Sequence, residues 1–365
     1  MKNTFGNSLS VTLFGESHGP YVGAVIDGLA PGLDLDEERI ASELSRRRPG
    51  LSTDTPRVER DNFSIISGVF NKKTTGSPLT IIIPNENTKS QDYVYGAARP
   101  SHADYSAHVK YHGFEDYRGG GHFSGRVTAA LTAAGGIILP ALEGLGIQIG
   151  THISSCAGIN DRAFEDMGRD IKELREKTFP VLDSGAGAAM QEAIIAAKDD
   201  NDSVGGITET VITGLPAGIG EPWFETLDGS LAYAMFSIGA VKGVEFGAGF
   251  GLAKERGSKA NDALRCSEDG SIYTLTNNNG GINGGISNGM PILFRCAVKP
   301  TPSISRSQKT VDFVKGENID YTVKGRHDPA IIRRICPVID SVSAITIADA
   351  LCVRYGTDCL AKGIN

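Results

Sequence analysis

Histidines are the residues best suited to chemistry in this sequence. Four of the seven fall between residues 102 and 122, namely His102, His108, His112 and His122. Imidazole titrates near neutral pH, so such a cluster suits proton transfer. A zinc site built from His108, His112 and His102 is disfavoured, because neither a nearby cysteine nor an HExxH motif supports it. The spacing of His108 and His112 predicts a partly exposed helix face, whereas His102 lies in the turn-rich segment RPSHADY at 99–105.

The segment GESHG at 15–19 contains the GxSxG pattern of a serine nucleophile. That pattern requires a strand before the serine and a helix after it. Here Pro20 and the β-branched run at 22–26 predict a second strand instead. A serine hydrolase therefore stays a minor alternative, and a tight glycine turn that presents Ser17 and His18 side by side is favoured.

Two glycine-rich segments could approach a ligand closely. RGGGHFSGR at 118–126 runs directly into an Ala-rich helix predicted at 127–145. Backbone N–H groups at such a helix start, with flanking arginines, form an anion site, although neither a Walker motif nor GxGxxG is present. In residues 276–289, Ile282 and Ile286 interrupt a run of Gly and Asn. This predicts an ordered loop against a ligand, with a flexible surface loop as the alternative.

Two basic segments follow in the second half, KPTPS at 299–303 and GRHDP at 325–329. They place cations in loops of a chain whose net charge is −7. The acidic balance disfavours nucleic-acid binding, which requires a basic face. Cationic anchors in Gly/Pro loops of an acidic protein predict small polyanionic ligands.

The elements that must hold these segments are mixed. A helix is predicted to begin at Asp34, with Glu37 as a capping-box partner, and to end at Arg46-Arg47-Arg48. Strands and helices do not alternate strictly, which favours a layered α+β fold. The other predicted strands are 10–14, 22–29, 79–83, 207–215 and 292–298, and the other helices are 188–198, 224–241 and 341–355.

Several features predict a cytoplasmic protein that does not bind membranes. The six cysteines form no CxxC pair and are expected to be reduced thiols. The N-terminal residues contain no apolar signal region. The longest mainly apolar stretch, 127–142, is too short to span a bilayer.

Six segments together resemble, in order, the signature segments of the chorismate synthase family. The resemblance extends from residue 5 to about residue 350. The segments are GESHG at 15–19, RPSHADY at 99–105, RGGG…SGR at 118–126, SIGAVKG at 237–243, KPTPS at 299–303 and GRHDP at 325–329.

The resemblance implies a fold and a reaction. The fold is a β-α-β sandwich, with helices packed between two antiparallel sheets, as a single domain over 1–365 in a homotetramer. The reaction is the anti-1,4-elimination of phosphate from 5-enolpyruvylshikimate-3-phosphate to give chorismate, and its cofactor is reduced FMN. Because 365 residues leave no room for a large insertion, we expect a monofunctional lyase supplied by an external flavin reductase.

The resemblance also implies roles for individual residues. His18 acts at the substrate phosphate, His102 lies by the flavin, and Asp328 accepts a proton near flavin N5. Expected flavin contacts are Ser124, Gly239, Ala240, Gly284, Lys299, Pro300, Thr301, Pro302, Ser303 and Arg326. Expected substrate contacts are Ser17, Arg47, Arg48 and Arg126.

The sequence departs from the family pattern at three positions. His122 and Phe123 stand where many members have arginine and serine, and Thr53 stands where many have a basic residue. The first two changes weaken one cation and remove one hydroxyl from the glycine loop. They leave an alternative function, an FMN-binding protein without lyase activity.

Overall fold

The computed structural model describes residues 2–57, 59–88, 90–325 and 327–364. In chain order its strands are β1 (Thr4–Phe5), β2 (Ser10–Gly15), β3 (Tyr21–Asp27), β4 (Ser64–Ser67), β5 (Val69–Phe70), β6 (Lys73–Thr74), β7 (Leu79–Pro84), β8 (Gln148–Cys156), β9 (Ile159–Asn160), β10 (Gly206–Thr213), β11 (Val241–Phe246), β12 (Leu264–Cys266), β13 (Ile272–Thr274), β14 (Ile282–Asn283), β15 (Ile286–Ser287), β16 (Ile292–Val298), β17 (Gln308–Asp312) and β18 (Glu317–Tyr321). The helices are α1 (Glu37–Arg47), α2 (Asp104–Tyr111), α3 (Thr128–Gly144), α4 (Met167–Glu176), α5 (Ser184–Asp199), α6 (Leu227–Ser237), α7 (Gly257–Ala260), α8 (Ile332–Tyr355) and α9 (Cys359–Lys362), with 3₁₀ turns at Ser90–Asp92, Arg118–Phe123, Gly125–Val127 and Gly249–Lys254.

Two five-stranded antiparallel sheets form the outer layers. The first has the order β1-β2-β3-β7-β4 and the second β11-β16-β10-β8-β9. In β7, the buried residues Leu79, Ile81 and Ile83 alternate with less buried neighbours. The same alternation in β16 buries Ile292 and Phe294. One face of each sheet therefore packs against the core, which is the pattern that a sheet covered on one side requires.

The long helices α3 and α8 lie between the sheets, as the predicted sandwich requires. A Cβ on Gly135 would lie 2.2 Å from the Ser341 side chain, and one on Gly136 would lie 2.9 Å from the Ile40 Cα. The glycine pair of α3 therefore allows close packing against α8 on one side and α1 on the other. The predicted fold class is confirmed.

Within the described part of the chain, two helical segments are long and apolar enough to cross a membrane, at 125–144 and 332–355. In this fold both are core helices, with 67% and 94% of their most apolar windows buried. Packing between two sheets accounts for an apolar surface around most of each helix.

Some predicted helix limits are wrong. The N-cap of α1 is Asp36, whose side chain accepts the Arg39 N–H, while Asp34 forms an exposed ion pair with Lys73. The predicted helix 224–241 is only Leu227–Ser237, because Phe224 has a φ of 60° and cannot belong to a helix. The last long helix begins at residue 332 rather than 341, since the buried α8 tolerates the missing N–H of Pro337.

Candidate active site

The turn between β2 and β3 holds Ser17 and His18 side by side. Gly15 ends β2 with a φ of 94°, and Tyr21 begins β3. The buried Ser17 Oγ donates to the Arg118 carbonyl at 3.2 Å and lies 3.1 Å from the His18 Nδ1. Because a strand follows this turn, it is not a nucleophile elbow, and the serine hydrolase alternative is excluded.

The glycine loop, residues 118–126, lies against both predicted catalytic histidines. A Cβ on Gly119 would lie 2.0 Å from the His18 Cε1, and one on Gly120 would lie 3.0 Å from the His102 Cε1. These glycines have φ angles of 62° and 82°, a region in which a side chain is strained. His18 and His102 therefore pack against two consecutive glycines of the same loop, Gly119 and Gly120.

A buried ion pair fixes the imidazole of His102. The Asp104 Oδ1 lies 2.7 Å from the His102 Nδ1, and the Arg99 guanidinium binds both Asp104 carboxylate oxygens, at 2.7 and 2.8 Å. Burial alone would raise the pKa of Asp104, but hydrogen bonds from Arg99 and His102 hold it well below its ordinary value. Asp104 is thus ionised and accepts a proton-bearing Nδ1, which leaves Nε2 of His102 beside Gly120.

His18 has a different electrostatic environment. Burial is the main cause that lowers its pKa, and the positive charge of Arg57 lowers it further, while Asp116 opposes both. The Tyr93 ring meets the imidazole edge-on at a centroid distance of 5.3 Å. His18 is therefore mostly neutral at neutral pH, and an adjacent phosphate dianion would favour its protonated form.

Arg47 and Arg126 converge on a single carboxylate, that of Asp61. The Arg126 Nη1 donates to one oxygen of Asp61, and the Arg47 Nη1 lies 3.5 Å from the other. Burial is the main cause that lowers the pKa of Arg47 to about 9; Asp61 opposes it, and the charges of Arg334 and Arg126 add to it. Asp61 is the carboxylate that the two buried guanidinium groups share, and a Glu59 oxygen lies 3.9 Å from the Arg126 Nη1 as a more distant counter-charge. Guanidinium groups bind carboxylate and phosphate, so this pair is a candidate site for an anion.

Asp328 lies beside this cluster. Its Oδ1 accepts the Thr55 backbone N–H at 3.0 Å, and its Oδ2 accepts a hydrogen bond from the Arg334 guanidinium. The charge of Asp328 also acts on Arg47, whose pKa it raises. Asp328, the predicted proton acceptor, is therefore close enough to interact electrostatically with Arg47, a predicted substrate anchor.

Asn85 connects the histidine turn to the arginine cluster. Its Nδ2 donates to the carbonyls of Glu16 and Gly19, at 2.9 and 2.8 Å. Its Oδ1 accepts the Arg126 Nε–H at 2.8 Å. One side chain thus fixes the position of His18 relative to the arginine that follows the glycine loop.

The KPTPS segment at 299–303, which contains predicted flavin contacts, comes close to the His102 segment. The Lys299 N–H donates to the Ala240 carbonyl at 3.0 Å, and its Nζ donates to the Ser101 carbonyl. The Thr301 Oγ1 is buried and has no hydrogen-bond partner among the described residues. A cation and an unpaired buried hydroxyl in one loop fit a phosphate group.

One predicted flavin contact, Gly284, is not brought to the histidines. Gly284 is in the β14–β15 hairpin, next to Gly285, whose carbonyl accepts the N–H of Leu227 at 2.8 Å. Among the described residues, no contact joins Gly284 to His18 or His102. Ser124 caps the 3₁₀ turn at 125–127 by accepting the Arg126 N–H, and the remaining predicted contacts are Gly239 between α6 and β11, and Pro300, Pro302 and Ser303 in the 299–303 loop.

Two residues predicted to bind ligands, Arg48 and Arg326, are not seen in the arginine cluster around Asp61 within the described part of the chain. The Arg48 Nη1 donates to the Arg60 carbonyl at 2.8 Å. The reason is that α1 ends at Arg47, and Arg48 has an extended backbone with a ψ of 146°. Arg326 lies outside the described residues.

The two departures in the glycine loop have structural roles. The His122 Nδ1 donates to the Gly15 carbonyl at 2.8 Å, and the Phe123 ring meets Tyr111 edge-on at 6.0 Å. Both side chains line a cavity of about 340 Å³, together with His102. His122 therefore ties the loop to the end of β2.

Histidines outside this site have other partners. His108 lies in α2 and is partly exposed, as predicted. Its Nδ1 is 3.3 Å from a Glu115 carboxylate oxygen. His112 is not on that helix face, because it ends α2 in a left-handed conformation, with a φ of 58°, before Gly113. The sequence-based pairing of these two histidines on one face is therefore wrong for His112.

Sequence reasoning gave no role to three residues of the site: Asp61, Asn85 and Asp104. Asp104 is part of the RPSHADY segment, and its spacing of two from His102 was an available signal. Asp61 and Asn85 have no such signal, because their partners lie between 14 and 69 residues away in the sequence.

Comparison with known proteins agrees with this geometry. The sequence model of the family described as "Chorismate synthase" matches residues 9–352. A chorismate synthase of Methanobrevibacter smithii is 48% identical over 360 residues, which cover 98% of this chain and 98% of that protein. One of Lachnoclostridium phytofermentans is 46% identical over 96% of this chain and 95% of its own length.

A solved structure supports the same assignment. The crystal structure of a chorismate synthase superimposes with a TM-score of 0.77 and 30% sequence identity, over 97% of this chain and 94% of that one. Family, relatives and fold agree over nearly the whole length. The chain belongs to the chorismate synthase family.

Proposed function

We propose that this protein is a carbon–oxygen lyase that converts 5-enolpyruvylshikimate-3-phosphate to chorismate and phosphate, with reduced FMN as cofactor. One observation carries the proposal: the glycine loop packs on His18 and His102 and ends at Arg126, which joins Arg47 on a common carboxylate. Proton-transfer groups and anion anchors thus surround one loop. The substrate has two carboxylates and a phosphate, so it needs both kinds of group.

The residues fit FMN at the 299–303 loop. The unpaired buried Thr301 Oγ1 and the Lys299 ammonium would hold the flavin phosphate, with Ser303 buried beside them. When bound, reduced FMN would supply transient electron donation to the substrate without net redox change. His102, fixed by Asp104, would orient the flavin ring and maintain its protonation state.

His18 would act at the leaving phosphate. The C3–O bond breaks with its electron pair on the phosphate oxygen, and a proton donor there stabilises the departing charge. A phosphate dianion beside His18 counteracts the burial that lowers its pKa, so the bound substrate itself promotes the protonated donor. Ser17 would hold the imidazole in place through its 3.1 Å contact.

Asp328 would accept the proton from C6. Over the complete reaction, the two electrons left by the C6 proton replace the pair that leaves with phosphate, so the flavin would end in the state in which it began. Arg47 and Arg126 would bind the substrate carboxylates and keep C6 within reach of Asp328. Arg48 completes the proposed set of substrate contacts.

A comparison of wild type with His18→Ala tests this proposal against the alternative of an FMN-binding protein without lyase activity. We expect His18→Ala to retain FMN binding and to lose roughly 10²- to 10⁴-fold in turnover, the range typical of a general acid. If wild type binds FMN and releases no phosphate under anaerobic, reduced conditions, the alternative replaces the proposal. The comparisons give that alternative no support.

The remaining parts of the proposal concern organisation. We propose that residues 1–365 act as one domain and assemble as a homotetramer. We also propose that the protein is cytoplasmic, and the free thiols of all six cysteines support this location. We also propose that the enzyme is monofunctional and depends on an external flavin reductase. NADPH oxidation by the pure protein with FMN, above a buffer control, would refute this last point.

A further inference from the structure

Two arginines in the first turn of α8 form hydrogen bonds with the C-terminal end of α1. The Arg334 Nε donates to the Arg47 carbonyl at 3.0 Å. The preceding Arg333 donates to the Arg46 carbonyl at 3.2 Å and to the Arg48 carbonyl at 2.5 Å. Three successive carbonyls at the end of α1, which have no partner within the helix, are thus bound by two adjacent guanidinium groups.

The two arginines differ in their second partners. Arg333 forms a buried ion pair with Asp54 at 2.6 Å, and Asp54 accepts the backbone N–H groups of Gly50 and Leu51. Arg334 instead donates to Asp328. Arg333 therefore holds the loop after α1, whereas Arg334 joins the proposed proton acceptor to the backbone of a substrate anchor.

We propose that Arg334 is a positioning residue for the elimination: its guanidinium fixes the Asp328 carboxylate and the Arg47 backbone at a set spacing. This inference rests on the proposed function. A carboxylate bound at one oxygen by a guanidinium and at the other by the Thr55 N–H cannot rotate freely about its last side-chain bond. Proton abstraction depends steeply on such alignment, so loss of the clamp should slow the chemical step more than it weakens substrate binding.

The arrangement also separates Arg334 from a purely structural role. Its side chain is 17% exposed, and that of Arg333 is 7% exposed. Arg333 makes five hydrogen bonds to backbone carbonyls or to Asp54 from the interior, so its replacement should chiefly lower stability. Arg334 is accessible enough for a small cation to occupy its place once the side chain is removed.

The test measures Arg334→Ala and Arg334→Lys by anaerobic steady-state assay with reduced FMN and 5-enolpyruvylshikimate-3-phosphate. For Arg334→Ala we expect kcat to fall about 100-fold, with KM and the FMN dissociation constant within threefold of wild type. Guanidinium ion added at millimolar concentration should restore kcat saturably. Arg333→Ala is the matched control, which guanidinium should not rescue in this way.

A second readout is the deuterium isotope effect for substrate labelled at the C6 hydrogen that is lost. It should increase in Arg334→Ala, because proton removal becomes slower. Unchanged kcat in Arg334→Ala, or a loss seen only in KM, would overturn the inference while leaving the proposed function intact. If Arg334→Ala does not fold, Arg334→Lys tests the inference. A reduced kcat with unchanged KM would support a positioning role for the Arg334 guanidinium, and a wild-type kcat would refute it. Absence of turnover in wild type would refute the proposed function itself.

Discussion

Gly119 lies directly against the imidazole of His18: a Cβ at this position would be 2.0 Å from Cε1 and 2.1 Å from Nδ1. No rotation of a methyl group avoids that overlap, so either the loop or the histidine must move. The glycine at this position therefore determines where the proposed proton donor lies. The same residue has a positive φ of 62°, which adds backbone strain to any substitution.

Gly119→Ala should lower turnover about 100-fold, because displacement of a catalytic group by about 1 Å has an effect of that order. FMN binding should change little. The matched control is Gly125→Ala in the same loop, where an added Cβ meets no heavy atom within 4 Å. Wild-type turnover in Gly119→Ala would show that His18 does not need its present position.

Asp61→Asn should destabilise the protein by about 3–5 kcal/mol, since it removes the carboxylate that two buried guanidinium groups share and leaves Arg126 with only the more distant Glu59. Urea unfolding measures this loss. Saturating inorganic phosphate should reduce the difference in unfolding free energy between Asp61→Asn and wild type, because a bound anion can replace the missing carboxylate. Asp34→Asn, which removes an exposed ion pair, should cost no more than about 1 kcal/mol.

If phosphate stabilises Asp61→Asn no more than wild type, the Arg47 and Arg126 cluster is not an anion site. That result would leave Asp61 with only a structural role.

Thr301→Val should weaken FMN binding roughly 10- to 100-fold, the value of one hydrogen bond to a charged group. Fluorescence titration of FMN measures it. Thr53→Val is the matched control, because Thr53 also has a buried Oγ1 without a partner among the described residues, but lies in the loop after α1. Equal FMN affinity of both variants and wild type would exclude Thr301 from the phosphate site.

The buried His152 should make stability depend on pH. Burial alone would lower its pKa, but hydrogen bonds to Asp161 at 2.8 Å and Glu209 at 3.3 Å raise it above 6.5. A raised pKa means that the folded state binds the proton more tightly than the unfolded state does. The resulting stabilisation is fully present below pH 6.5 and is lost as pH rises through the folded-state pKa.

His152→Gln should therefore cost more stability at about pH 6 than at about pH 9, as measured by urea unfolding at both values. An Asp161→Asn background should remove most of that difference. An equal cost at the two pH values would mean that His152 is not charged in the folded protein.

The sequence alone predicts the parts of the fold and site that have local signals. The strand 292–298 has the predicted limits, and the histidine turn and glycine loop follow from their glycines. The sandwich itself comes from the resemblance, because the mixed order of elements indicates only a layered α+β fold. The predicted helix limits are wrong where a single residue departs from the expected local structure. Phe224 has a positive φ and lies outside α6, whereas Pro337 is accommodated inside α8.

Long-range partners are the part that sequence cannot supply. Arg126 meets Asp61 and Asn85 across 65 and 41 residues, and Arg334 meets Arg47 across 287 residues. No spacing rule relates residues that far apart. The resemblance implies that Arg47 and Arg126 are substrate anchors, but no pattern in the sequence points to the carboxylate of Asp61 that they share.

The most direct measurement of the central claim is an anaerobic assay of the purified wild-type protein with 5-enolpyruvylshikimate-3-phosphate and chemically reduced FMN. It follows chorismate absorbance and released phosphate together. The account predicts equal amounts of both products, and no turnover when reduced flavin is omitted or replaced by oxidised flavin. Bound flavin without any release of phosphate would contradict it.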